Sequence, residues 1–195
     1  MHTARDERMA AAYLPQSNVV SVLYEQHAQI RDHFEMAGTL RGEASKASFD
    51  ALRELLAKHE AAEEVVMRPV SEKLLPAGFT RAREAEEANA ARELAELERM
   101  DVDAPEFQPR LRQLEEAVSL HASREETDEF SAVLSEVSEH EQQEMGRWIL
   151  RAMQPAPAHS HPMLGGAAVG QPVVGPFAAL LDRARDRLAE TRDER

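Results

Sequence analysis

The sequence contains no cysteine. Disulfides, thiolate metal sites and cysteine nucleophiles are therefore excluded, and a metal centre would have to be built from His, Asp and Glu. Aromatic residues make up only 5% of the 195 positions, and only four of the eight glycines precede residue 150. No run approaches the ~20 apolar residues that a membrane helix needs. Residues 1–16 hold no apolar stretch of signal-peptide length. The expected location is cytoplasmic, with no membrane partner. Cations are in deficit as well: 23 Lys and Arg stand against 36 Asp and Glu, a formal net charge of −13. Nucleic acids and anionic bilayers attract clustered cations, so neither is expected as a partner. What the chain does have is Ala, Glu, Leu and Arg in abundance, a helix-forming composition. With 43% hydrophobic residues it can fill a core, and its length fits one domain plus a tail.

Proline and glycine divide the chain. Residues 1–16 read as a polar tail ending at Pro15. A first helix starts near Ser17 or Asn18, either of which can cap it, and runs to about Gly38. A second starts around Ser48 and passes Val66 until Pro69 bends or ends it. Pro76-Ala77-Gly78 marks a turn, and a third helix covers about Phe79 to Met100. A fourth runs from about Glu106 to Val137, and a short fifth from Glu139 to Met153. Residues 154–176 hold half of the ten prolines and half of the eight glycines, which reads as a linker without its own core. Helical period returns at residues 177–195. The expected fold is all-α: an antiparallel up-down-up-down four-helix bundle over 17–153, with the short fifth helix, the Pro/Gly-rich segment and a final helix.

Each bundle helix carries an apolar stripe at alternating steps of three and four. The stripes are Val20, Leu23, His27, Ile30, Phe34, Ala37; Phe49, Leu52, Leu56, His59, Glu63, Val66, Val70; Glu87, Ala90, Leu94, Leu97; and Phe107, Leu111, Leu114, Val118, His121, Glu125. The exceptions to apolarity are all His or Glu. An isolated buried carboxylate costs several kcal/mol or is neutralised by a shifted pKa. Three Glu at core positions call for a cation, and the defined stripes contain no Lys or Arg (extending the third backwards meets Arg83). A bound metal is the natural compensation.

His59 and Glu63 are four apart and share a helical face, and His121 and Glu125 repeat the pattern. His27 and Glu87 stand alone on the other two helices. The lone residues are 60 apart and the paired ones 62, so the chain reads as two helical hairpins, each with one lone residue and one His-x-x-x-Glu pair. Six such residues are too many for one tetrahedral zinc and suit two octahedral irons.

On Glu25-Gln26-His27, His59-Glu60-Ala61-Ala62-Glu63-Glu64 and His121-Ala122-Ser123-Arg124-Glu125-Glu126, the sequence resembles the hemerythrin-like (HHE cation-binding) domains over about residues 18–135. The resemblance implies a four-helix bundle with a non-haem di-iron site, two iron ions with an oxo or hydroxo bridge. Glu63 and Glu125 would bridge the irons, and His27, His59 and His121 would be terminal ligands. The family's third helix usually supplies a His where Glu86-Glu87 stand here; Glu87 is the substitute by stripe position and Glu86 the fallback. The tail is similar to that of actinobacterial hemerythrin-like proteins, in His159-Ser160-His161-Pro162, Gly175-Pro176-Phe177 and Asp182-Arg183-Ala184-Arg185-Asp186.

Three His with three carboxylates make a more anionic set than an oxygen carrier's imidazoles. Anionic ligands stabilise the ferric state and lower the potential. The expected function is handling of oxygen, peroxide or another small oxidant, with modest catalase-like activity. The alternatives are an iron or oxygen sensor and a metal-binding protein without catalysis, and manganese or zinc in place of iron. Tyr24, one turn before His27, is either a donor near the site or a packing residue at the bundle edge. Oligomeric state is not written in the sequence.

Overall fold

The computed structural model describes residues 3–154 and 176–193. Its elements are α1 (Ala4–Ala12), α2 (Val19–Thr39), α3 (Gly42–Ala62), a π-helical segment (Glu63–Met67), α4 (Arg68–Leu74), α5 (Phe79–Leu97), α6 (Phe107–Glu136), α7 (Glu139–Met153) and α8 (Pro176–Asp193). No strand occurs among the described residues, and no described helix is long and apolar enough to cross a membrane. The all-α reading holds. The helices α2, α3 with its π and α4 continuation, α5 and α6 are the four antiparallel members of the bundle. Residues 155–175 of the expected linker, with His159 and His161, lie outside the described residues.

The sequence reading is corrected at two places. Residues 4–12 are a helix, where a polar tail was expected. Thr3 accepts from the Asp6 amide while Asp6 accepts from the Thr3 amide, a capping box. One face of α1 is buried on α2 through Ala11 and Glu7, and Arg31 of α2 ion-pairs with Glu7 at 2.5 Å. The second bundle helix starts at Gly42, not Ser48. Ser45 in its first turn is buried: its hydroxyl donates to the Ala37 carbonyl at 2.9 Å, and this pins the short connection to the end of α2. Gly42 provides the positive φ, +58°, that lets the chain turn there.

At Pro69 the backbone stays helical and continues to Leu74. The π segment lies directly before it, with the Arg68 amide bonded to the Glu63 carbonyl five residues back. A regular α-helix would press the proline ring against the carbonyl four residues back and lose a donor; the wider turn relieves that conflict. The same wide turn begins at Glu63, one of the candidate site residues.

The predicted stripes are the core. Val20, Leu23, Ile30, Phe34, Phe49, Leu52, Leu56, Leu94, Leu97, Phe107, Leu111 and Leu114 are all buried. They divide into two apolar layers. One joins the C-terminal half of α2 to the N-terminal halves of α3 and α6 and the end of α5. The other joins the start of α2 to the end of α3, the π segment, the second half of α6 and α7. On α2, α3 and α6 the His and Glu positions fall between the two layers, so the polar cluster forms a waist sealed by hydrocarbon above and below. That arrangement also fixes the alternating helix directions.

The end of the bundle near residue 18 is tied by Asn18. Its Oδ1 caps α2 by accepting from Val20, and its amide donates to Gln142 of α7 at 2.6 Å. Here α7 approaches so closely that a Cβ on Gly146 would lie 2.1 Å from the Ser17 carbonyl oxygen. Gly146→Ala should therefore destabilise the protein by about 1–3 kcal/mol, the usual cost of overpacking. A lower urea midpoint at unchanged slope checks it.

Candidate metal centre

Four separate helical stretches supply the waist. His27 comes from α2, His59 from the last turn of α3, Glu63 from the first position of the π segment, Glu87 from α5, and His121 and Glu125 from α6. His27, His59, Glu63 and Glu125 offer donor atoms that all lie within 4.8 Å of one another, and so do Glu63, Glu87, His121 and Glu125. All six residues singled out from the sequence are thus brought together, in two groups that share Glu63 and Glu125. Five are buried and Glu87 partly so.

The close distances show how the groups face each other. His27 Nε2 and His59 Nε2 are 3.2 Å apart. His59 Nε2 lies 3.3 Å from Glu63 Oε1. Glu125 divides its two oxygens: Oε2 lies 3.5 Å from His27 Nε2, and Oε1 lies 2.7 Å from His121 Nε2. One carboxylate thereby spans both groups.

Each imidazole is oriented through its other nitrogen. His27 Nδ1 is 2.9 Å from Glu126 Oε1, His59 Nδ1 is 2.8 Å from Gln26 Oε1, and His121 Nδ1 is 3.0 Å from Glu86 Oε2. Each of these oxygens accepts the Nδ1 hydrogen, so that each Nε2 faces the waist, the arrangement metal-ligating histidines adopt. Sequence reading missed this shell. Gln26, Glu86 and Glu126 each stand beside a candidate ligand in the chain, yet each orients a histidine on a different helix, so spacing along one helix could not reveal them. Glu86, the fallback for the third helix, is the acceptor for His121 and is also paired with Arg83 and Arg124.

Further residues close the periphery. Gln26 donates from Nε2 to the Met153 sulfur, linking His59 to the end of α7. Arg68 pairs with Glu87, and buried Arg83 lies near Glu129, whose carboxylate accepts from Ser71 at 2.7 Å. A third group, Glu7, His27 and Glu126, has donor atoms equally close. Its His27 nitrogen is already engaged with Glu126, and Glu7 with Arg31, so it is a hydrogen-bonding shell around the first group. Tyr24 packs edge-on to Phe130, with ring centroids 5.0 Å apart, and Phe130 in turn stacks on His27. Its place is in the packing of the bundle.

The donor set fits a cation. Glu63 Oε2 and Glu125 Oε2 are buried atoms with no hydrogen-bond partner. Unpaired lone pairs at such a site cost of order 1–3 kcal/mol each, and a cation satisfies them together. The titration behaviour of the protein alone makes the same point. Burial and then the charge of Glu125 push the Glu63 carboxyl well above its usual range. Burial and Glu87 push Glu60 up to about 8. Burial pulls His121 down, but the Glu125 carboxylate outweighs it and holds the imidazole at about 10. Burial, with the charge of His27 next, lowers His59 to about 3. Burial would raise Glu125, yet His121 and His27 hold it well below the usual range. Protons supply positive charge where a metal would supply it.

Two outcomes follow. Glu86→Ala removes the oxygen that orients His121 at a partly exposed position; metal affinity should fall by roughly 10–100-fold, read by competition with a coloured chelator, while the metal-free melting temperature barely moves. The second concerns pH. The folded-state values of Glu60, Glu63 and His121 are raised, so their stabilisation is complete below the unfolded values, near 4.5 for the carboxyls and 6.5 for the imidazole. It is lost as pH climbs through the folded ones. The metal-free protein should lose melting temperature between about pH 5 and 9. Added metal, which displaces these protons, should restore more at pH 8 than at pH 6.

Comparison with known proteins agrees with this geometry. Residues 18–133 match the family described as the hemerythrin HHE cation binding domain. The chain is 30% identical over 136 residues to an uncharacterised hemerythrin-like protein of Schizosaccharomyces pombe, a match that covers 68% of this chain and 67% of that protein. No solved structure matches. A helical bundle whose sealed waist gathers His and Glu from four stretches, over the residues that match, means that the chain belongs to the hemerythrin-like family and carries its cation-binding domain.

Proposed function

We propose that this protein is a non-haem di-iron protein that handles oxygen or hydrogen peroxide in the cytoplasm, with modest catalase-like activity. One observation carries the reading. Two four-residue donor groups share Glu63 and Glu125, and Glu125 turns one oxygen to each. His27 and His59 would complete one metal position, and Glu87 and His121 the other. Iron prefers six donors, so four protein donors at each position leave room for small exogenous ligands. A single tetrahedral ion would leave two of the six residues without a role.

Iron held here would supply redox chemistry toward oxygen or peroxide. The protein supplies the bias. One position has two imidazoles and the other an imidazole with the Glu87 carboxylate, and the added negative charge favours the ferric state. Arg68, paired with Glu87, moderates that charge and holds the carboxylate in place. The orienting oxygens of Glu126 and Glu86 make His27 and His121 more basic, in the same direction; the neutral amide of Gln26 does so less for His59. This set favours an oxidant-handling centre over a reversible carrier.

Metal analysis of the purified protein should give two irons per chain, with the near-ultraviolet and visible absorption of a coupled diferric pair. The loaded protein should turn over hydrogen peroxide, and Glu87→His should raise the reduction potential and slow that turnover. Fewer than two metals per chain would end the dinuclear reading. An iron-loaded protein that leaves peroxide untouched would end the catalytic one.

A further inference from the structure

Two cavities meet beside the waist. The inner one, about 20 Å³, touches His27, His59 and His121. It holds about one water-sized molecule. The outer one, about 210 Å³, lies between α3, α5, α6 and α8. Both are lined by Glu60, Glu87, Ala90 and Val118, so the outer cavity adjoins the inner one on the Glu87 side. A further gap, between Arg68, Arg83 and the carboxylates of Glu63, Glu87, Glu125 and Glu129, is only about 10 Å³.

We propose that the outer cavity is the binding and entry site for a small uncharged molecule, of the size of dioxygen or hydrogen peroxide, on its way to the centre. The proposal rests on the reading of a metal pair in the waist. Size sets the upper limit, because only a molecule comparable to water passes into the inner space, and a hydrated metal ion does not. Lining sets the class. The walls are mostly hydrocarbon, from Leu56, Leu94 and Leu114 of the bundle and Phe177 and Leu181 of α8. The charged lining is acidic apart from Arg185, and both Nε and Nη2 of that guanidinium donate to Glu64 Oε2, at 2.8 and 2.5 Å. Among the described lining residues the one cation is paired, and they offer an anion nothing and repel it. The final helix is thus the outer wall of the route, tethered to the π segment by the Arg185–Glu64 pair.

Ala91→Phe tests this. Ala91 lines the outer cavity, lies outside both donor groups, and would carry a ring into the space. Xenon, followed by ¹²⁹Xe NMR on the full-length metal-free protein, should bind the wild type and not the variant. On the diferrous protein, stopped-flow association of nitric oxide should slow roughly tenfold or more, as gating of access does. Ala152→Phe fills a different cavity, on the far side of α8, and should leave that rate unchanged. Leu181→Trp plugs the same outer space from α8 and replaces Ala91→Phe if that variant does not fold. Xenon that ignores the wild-type cavity overturns the proposal. So does a nitric oxide rate that stays within about twofold in a variant that has lost xenon binding. If the protein holds no metal pair, the functional reading fails, and xenon alone still decides whether the cavity takes small uncharged molecules.

Discussion

A carboxylate cannot stay ionised inside a hydrocarbon core unless positive charge lies against it. The waist of this bundle is organised around that constraint. Glu63 and Glu125 are buried between two apolar layers with oxygen atoms that no hydrogen bond satisfies. Protons on the neighbouring imidazoles and carboxyls meet the demand in part. A bound cation would meet it fully, because it would saturate the lone pairs of His and Glu together and replace several displaced protons. The apolar layers are what make the demand strong: were the same six residues solvated, water would satisfy them and their affinity for a cation would be slight.

Geometry then depends on the shell around the donors. Three imidazoles present Nε2 inward because Glu126, Gln26 and Glu86 take their Nδ1 hydrogens. Two of those acceptors are charged and one is neutral, so the two halves of the centre are electrostatically unequal before any metal is considered. Glu87 adds to the inequality, and Arg68 limits it. The helices outside the four-membered bundle belong to the same system. Through Glu7 and Arg31, α1 reaches the shell of His27. The Met153 sulfur at the end of α7 accepts from the amide that holds His59. The last helix, α8, walls the wider of the two cavities that lead inward.

Much of this was legible in the chain. The steps of three and four that place Leu23, His27 and Ile30, or Leu56, His59 and Glu63, on one face are a local property of helical geometry, and those faces are buried as expected. Prolines and glycines marked the turns, although two boundaries were misread for local reasons. The capping box at Thr3 lies in a segment that looks merely polar, and the second helix starts at Gly42 instead of Ser48 because Ser45 finds its partner, the Ala37 carbonyl, only when the connection is folded. The choice between Glu86 and Glu87 is a case of a different kind. Both are glutamates one residue apart; the structure puts Glu87 in the donor group of Glu63, His121 and Glu125, and puts Glu86 against His121 Nδ1 and two arginines.

The sequence by itself therefore determined the all-helical class, the four bundle stripes and five of the six residues that converge, because hydrophobic period and i, i+4 spacing are set within single helices. Only the tertiary structure decided which carboxylate spans the two groups, which side chains orient the histidines, that the N-terminal segment is a helix packed on α2, and that α8 encloses a cavity beside the waist. Each of these is a relation between different helices. It depends on the rotation and depth at which the helices pack, and residue spacing along one of them carries no record of that.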